Sequence, residues 1–418
     1  MARRIVIIGN GITGVTAARF IRKLSDDSIT VVSSETDHFY ARTALMYIYM
    51  GHMRYQETKP YEDHFWSKNR INLVRGYASR IDPEQKVVRI ADGNDIAYDA
   101  LLLATGSQSN KFGWPGQDLM GVQGLYGMQD LALMEQNTQN ISHGVVVGGG
   151  LIGIEMAEML HARHIPVTFL VREKSYMDYL LPKEESALIN REIYEHGIDL
   201  RLDTELKSIL GSKSVEAVET SNHECIECQF VGLTAGVHPN MDLAKASGIE
   251  TNKGIVVNEF FETNVPDIYA AGDCAEFNAD GIGSRRIEQL WYTGRAHGKV
   301  VARTLCGHRT PYRRGIFFNS AKFFTIEYQT YGDVPAQPES HIRSQLFQGE
   351  KKLLRINSDR HTGKVLGFNA MGLRLRQDQC EGWIRSGTSV KEVLASIGKA
   401  RFDAEFYSNA VYRQAAAV

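Results

Sequence analysis

Two six-residue stretches, "GNGITG" at residues 9–14 and "GGGLIG" at residues 148–153, share the spacing Gly-x-Gly-x-x-Gly. The chemistry this pattern serves is holding a pyrophosphate. The first glycine permits a tight turn, the second lets backbone approach the phosphates, and the third allows close packing of helix on strand. Gly9, Gly11 and Gly14, with Ile12 and Thr13 inside the first motif, are therefore candidate ligand-binding residues, and so are Gly148, Gly150 and Gly153. A dinucleotide site of this kind also needs an acid about 20 residues beyond the last glycine, where it accepts hydrogen bonds from a ribose. Glu35, after "ITVVSS", and Glu173, after "VTFLVR", both stand at that distance.

The flanks decide whether such glycines are more than a loop. "RRIVIIGNGITGVTAARFIRKL" opens on the apolar run Ile5 to Ile8 and continues past the glycines with Val15, Ala18, Ile21 and Leu24 at helical spacing. "GVVVGGGLIGIEMAEMLHARHIPVTFL" repeats the arrangement from Val145, with Ile152, Met156, Met159 and Leu160 on its helix. Each segment predicts strand, tight turn and helix, with the helix N-terminus facing phosphate charge. Two dinucleotide sites in one chain imply that two dinucleotides exchange electrons. A length of 418 residues predicts two or three domains.

Further segments extend the pattern: "FYARTAL" at 39–45, "YDALLLATGSQ" at 98–108, "FVGLTAGVHPN" at 230–240 and "GIVVNEFFETNVPDIYAAGDCAEF" at 254–277. With the two glycine motifs, in this order, they resemble the two-dinucleotide-fold pyridine nucleotide-disulfide oxidoreductases. The resemblance is to their disulfide-free branch, the ferredoxin and rubredoxin reductases and the FAD part of nitrite reductase. It implies an α/β fold of two Rossmann-like domains, for FAD and NAD(P), plus a small C-terminal α+β domain. The FAD domain would comprise 1–108 and 240–308, with the NAD(P) domain inserted at 109–239 and the C-terminal domain at 309–418. It implies that Gly9, Gly11, Gly14 and Glu35 meet the FAD pyrophosphate and adenosine ribose, that Asp273 after Gly272 meets the ribityl or pyrophosphate side, and that Ala104, Thr105, Gly106 and Gly236 form the turns beside the cofactors. By the same resemblance Arg42 lies near the flavin and Glu155 near the nicotinamide, as catalytic candidates. Glu173 favours NADH, whose free ribose hydroxyl it would bind, whereas Arg172 would suit the extra phosphate of NADPH. The family's acid commonly ends the strand itself, where this chain has Val171.

Cysteines choose the branch. A thiol-dependent relative needs a reactive sulfur near the flavin, yet "FYARTALMYIYMGHM" has none and the first cysteine of the chain is Cys225. Cys225 and Cys228 form a nominal Cys-x-x-Cys on a strand, where residues three apart face opposite sides, so no metal and no redox pair is expected. With 47 basic against 49 acidic residues, charge points to neither nucleic acid nor membrane. No signal peptide or spanning run is read, and the expected location is cytoplasmic. Beyond residue 309, aromatic and β-branched runs predict a small sheet, and "SVKEVLASIGKARF" a helix with Val390, Val393, Leu394 and Ile397 on one stripe. The expected activity is FAD-dependent NAD(P)H oxidation, NADH favoured, with electrons passed to a ferredoxin- or rubredoxin-like carrier or a reductase partner; a homodimer is compatible. Competing readings are a membrane-associated NADH:quinone reductase, anchored through that stripe, and an NADH-sensing flavoprotein of the apoptosis-inducing-factor type.

Overall fold

A computed structural model describes residues 2–278, 287–402 and 410–416. The chain forms two compact units, one from Met1–Asn110, Gly124–Gln139 and Gly236–Arg313, the other from Lys111–Gln123, Asn140–Ala235 and Arg314–Val418. Residues 124–139, inside the interval 109–239, thus belong to the first unit, and the C-terminal sheet is grouped with the second parallel sheet.

The first unit is built on a five-stranded parallel sheet in the order Ile268–Ala270, Ala100–Leu103, Arg4–Ile8, Ser28–Ser33, Ile71–Arg75. Its central strand is apolar on both faces, as covered parallel strands are, and Ile5, Val6 and Ile7 are buried in the main core of the unit. Helix Ile12–Leu24 follows directly and buries Val15, Ala17, Ala18 and Ile21. Helix Trp291–Leu305 packs on it closely, because Gly298 faces Thr13: a Cβ there would lie 2.6 Å from the Thr13 carbonyl oxygen.

The second unit repeats the plan. Its parallel sheet runs Asp199–Arg201, Val167–Leu170, Gly144–Val147, Phe230–Leu233, Val122–Gln123, with helix Leu151–Ala162 after the central strand. An antiparallel sheet follows in the order Phe318–Phe323, Ile326–Gly332, Val365–Met371, Leu353–Asp359, Ile342–Gln348. Helix Gln377–Ser386 covers it and stops at Gly387, in the left-handed conformation at φ 61°.

The helix expected from Ser389 onward is shorter than the pattern suggests. It runs Val390–Ala395, capped by Ser389 and Glu392, and yields to a 3-10 turn Ile397–Ala400. The Ser396 hydroxyl bonds the Glu392 carbonyl at 2.7 Å, competing with the helical ladder where Gly398 also weakens it. Val393, Leu394 and Ile397 are buried in the C-terminal core with Leu354, Phe368 and Trp383, which removes the stripe as a membrane-facing surface. Among the described residues no helix is long and apolar enough to cross a membrane.

Candidate functional site

Both glycine motifs fold into the same cradle. Gly9 has φ +113° and Gly148 φ +114°, a region that side chains avoid. The amide of Gly9 donates to the Val32 carbonyl at 2.8 Å, and that of Gly148 to the Leu170 carbonyl at 3.0 Å, so each turn hangs from the neighbouring strand. A Cβ at Gly14 would sit 2.0 Å from the Gly9 carbonyl oxygen, and one at Gly153 2.1 Å from that of Gly148. The middle glycines differ: a Cβ at Gly11 or Gly150 meets nothing within 4 Å. These two are the N-caps of their helices, with no side-chain cap and no acid in the first turn. Each cradle therefore offers uncapped helix N–H groups across an open space, the condition for receiving a phosphate.

Around the first cradle Ala104 lies under Gly9, where an added Cβ would be 2.1 Å from its carbonyl oxygen, and Thr105 bonds the Asn240 carbonyl at 2.7 Å. Gly106 has φ +72° and faces the Tyr126 hydroxyl; Gly272, at φ +83°, faces the Thr13 hydroxyl, which leaves room for glycine only; Ile12 flanks Gly294. Asp273 accepts from Ser107 Oγ at 3.2 Å and from Tyr126 Oη at 3.4 Å, and Gln289 in turn donates to Ser107 at 2.8 Å. Burial pushes the Asp273 carboxyl upward, against the hydroxyl donors and the more distant Arg42 charge. A partly buried carboxyl on neutral donors, beside the cradle, suits a ligand's hydroxyl groups.

Glu35 is held by more than the sequence indicates. Arg42 forks onto both of its oxygens, at 2.9 and 2.5 Å; Tyr40 Oη donates at 2.5 Å, and the Met128 amide, opening helix Met128–Asn137, at 3.0 Å. Burial alone would raise the Glu35 carboxyl, but the Arg42 charge and these hydrogen bonds outweigh it and hold it below its ordinary range. The Arg42 guanidinium also donates to the Tyr126 carbonyl and lies over the Tyr126 ring, 4.5 Å from its centre. Arg42, expected near the flavin, is here the counter-ion of Glu35. Tyr40 and Tyr126 were not singled out from sequence; "FYARTAL" contains the first, while nothing near Tyr126 marks it.

In the second unit Glu155 and Glu158 stand one turn apart on helix Leu151–Ala162. Burial, with the nearby Glu158 charge, pushes Glu155 up to about 7. Glu173 sits with its carboxylate on Arg172 Nε, at 2.8 Å, the arginine exposed and the acid largely covered. Val171, at the strand end, is fully buried and packs under Gly149. Gly236, φ +83°, accepts the Asn110 amide at 3.1 Å in the first unit.

All five cysteines are free thiols. Cys225, which opens strand Cys225–Glu227, is exposed, Cys228 just past the strand's end is buried, and burial pushes Cys228 up to about 12. Cys274, next to Asp273, is fully buried, donates to the Leu103 carbonyl at 3.4 Å, and is likewise pushed up by burial. No thiolate nucleophile is favoured at either. Among the described residues there is no metal-ligating group of three or more His, Cys, Asp or Glu.

Two matching glycine cradles, each after the central strand of a parallel sheet, define an α/β protein built on two Rossmann-like units. Residues 3–298 match the pyridine nucleotide-disulphide oxidoreductase family, and the chain belongs to it. It is similar to the nitrite reductase [NAD(P)H] of Bacillus subtilis (strain 168), at 30% identity over 89% of this chain and 46% of that protein, so it spans about half the length of that relative. It is also similar to the NADH-rubredoxin oxidoreductase of Clostridium acetobutylicum, at 26% identity over 90% of this chain and 93% of that one. In fold it resembles the crystal structure of a ferredoxin reductase from Rhodopseudomonas palustris, with a TM-score of 0.79 at 23% identity over 88% of this chain and 91% of the other.

Proposed function

We propose that the chain is an FAD-dependent NAD(P)H oxidoreductase that passes electrons to a rubredoxin- or ferredoxin-like carrier, or to a reductase partner. The observation behind this reading is the repeated cradle, one per unit, each with a middle glycine whose side-chain position is open. FAD and a nicotinamide coenzyme, when bound, supply hydride transfer. The chain's part is binding and orientation. The first cradle and Asp273 hold the FAD pyrophosphate and ribityl hydroxyls. Glu35, oriented by Arg42 and Tyr40, accepts from the adenosine ribose, so Arg42 acts through Glu35. The second cradle and Glu173 hold the nicotinamide coenzyme, with Glu155 toward its nicotinamide end. The similarity to an NADH-rubredoxin oxidoreductase over 93% of its length favours a carrier protein as acceptor, and a reduced cytoplasm suits five free thiols.

Anaerobic stopped-flow mixing with NADH and with NADPH, followed by rubredoxin, ferredoxin and quinone, tests the reading. NADH should reduce the flavin and a carrier protein should reoxidise it. Quinone or oxygen as the sole competent acceptor would overturn the carrier assignment.

Coenzyme choice rests on the Arg172–Glu173 pair. Glu173→Ala should raise KM for NADH about tenfold or more with little change in the maximal reduction rate, the signature of lost uniform binding, since a charged hydrogen bond contributes about 1.5–3 kcal/mol. Arg172→Ala should spare NADH. A wild-type enzyme strongly preferring NADPH would reverse the assignment.

Thiols take no part in this account. Replacing all five cysteines by serine or alanine should leave flavin reduction and carrier-linked reoxidation within about tenfold, roughly 1.4 kcal/mol of barrier. Reductive titration should take up two electrons per FAD; a four-electron titration would contradict it.

A further inference from the structure

The hairpin of strands Phe318–Phe323 and Ile326–Gly332 turns through Phe324 and Thr325, and its tip sits on the nucleotide-binding sheet's own helices. Lys322 Nζ lies 2.8 Å from Glu158 Oε1 on helix Leu151–Ala162. Phe323, fully buried, meets Tyr176 edge-on at 5.9 Å between ring centres. Phe324 stacks on His196 at 4.4 Å, and the Thr325 amide donates to Glu192 at 3.0 Å. Phe324 has φ +52°, costly for a bulky side chain, so the packing around it must hold the turn. Tyr176, against which the tip packs, donates to the carbonyl of Gly150, the open glycine of the second cradle, at 3.0 Å. Four consecutive residues of the C-terminal sheet are thereby tied to the coenzyme-binding elements.

The acid they reach is unusual. Glu158 is 6% exposed; one oxygen takes Lys322, and the other is buried with no hydrogen-bond partner. Glu155 lies three residues earlier, on the same face of the helix. Among the described residues, the titratable groups facing the pair are Lys322 from the hairpin, Tyr176 from the loop before helix Lys183–Glu195, and His161 from the pair's own helix. Of these, Lys322 is the cation in direct contact with the pair, through Glu158. The lysine contact favours the pair's negative charge on Glu158, so a proton held by the pair sits on Glu155, which burial favours in its neutral form.

We infer that Lys322 is a positioning residue for the coenzyme site: its contact with Glu158 holds the pair's negative charge on that residue, which leaves Glu155 as the proton-bearing, hydrogen-bond-donating member toward the nicotinamide end of the coenzyme. The inference rests on the coenzyme assignment of the second cradle. It gives the C-terminal sheet a part in the chemistry of the nicotinamide site, through a residue far from it in sequence.

The test is a carboxyl titration of the purified full-length protein by infrared difference spectroscopy, without coenzyme, alongside the pH profile of flavin reduction by NADH. Wild type should show one protonated carboxyl titrating near neutrality, lost in Glu155→Gln. Lys322→Gln removes the cation, so the pair binds its proton more tightly and the midpoint moves up by roughly half a pH unit or more. Glu158→Gln removes the opposing charge, and the midpoint moves down toward the ordinary carboxylate range. Lys322→Arg restores the wild-type midpoint, and the reduction profile shifts with the titration in each variant. Shifts of the same sign in Lys322→Gln and Glu158→Gln, or an unmoved midpoint in either, would overturn the inference; should Lys322→Gln not fold, Glu158→Gln and Lys322→Arg still decide it. Failure of NADH to reduce the wild-type flavin would instead count against the coenzyme assignment, leaving the infrared midpoints to judge Lys322.

Discussion

Gly150→Val should give a folded, yellow protein whose flavin NADH no longer reduces, while Gly11→Val should give a folded protein without its FAD. Both follow from the open space at the middle glycines. A Cβ at either position meets no protein atom within 4 Å, so the fold has room for the substitution there; the new side chain projects where phosphate oxygens must approach the helix N-terminus. The loss of reduction rate at low NADH in Gly150→Val should exceed 100-fold, about 2.7 kcal/mol. The flanking glycines should behave otherwise. Gly14→Ala and Gly153→Ala drive a Cβ to 2.0 and 2.1 Å from a backbone oxygen and should destabilise the unit itself. Thermal unfolding with flavin absorbance separates the two outcomes: middle-glycine variants that unfold as readily as the flanking ones would show that the space is not a ligand's.

Glu35→Ala carries the second large effect. Losing one hydrogen bond to a ribose would cost about 1.5–3 kcal/mol of FAD binding. The structure adds a second loss, because Arg42, three-quarters covered, is left without its carboxylate, and the Met128 amide without its acceptor. Uncompensated buried charges cost about 3–5 kcal/mol, and partial exposure places this one toward or below the lower end. Glu35→Ala should therefore release FAD and lower unfolding stability together. Adding Arg42→Met should recover much of the stability but not the FAD, which a double-mutant cycle in urea would show. A Glu35→Ala protein as stable as wild type would mean that the buried pair contributes little to the fold.

The cradles were legible because their chemistry is local: strand, glycines and helix lie within some 20 consecutive residues, and the positive φ at Gly9 and Gly148 follows from the turn they must make. The absence of cysteine in 40–53 was equally plain. What sequence did not reveal is long-range. The pairing of Arg42 with Glu35 looks local, yet Tyr126 and Met128, which complete it, come from a segment that returns to the first unit. Lys322 reaches Glu158 across a separation of 164 residues, and no periodicity marks it. The stripe of Val393, Leu394 and Ile397 carried a helical signal, but its burial depended on a sheet that only the fold supplies.

Anaerobic titration of the purified, FAD-reconstituted protein with NADH tests the central claim most directly. The account predicts one FAD per chain, full reduction by one equivalent of NADH, and loss of that reduction in Gly150→Val with the FAD still bound. A protein that takes up no FAD through Gly11, or whose flavin is reduced equally well in wild type and Gly150→Val, would contradict it.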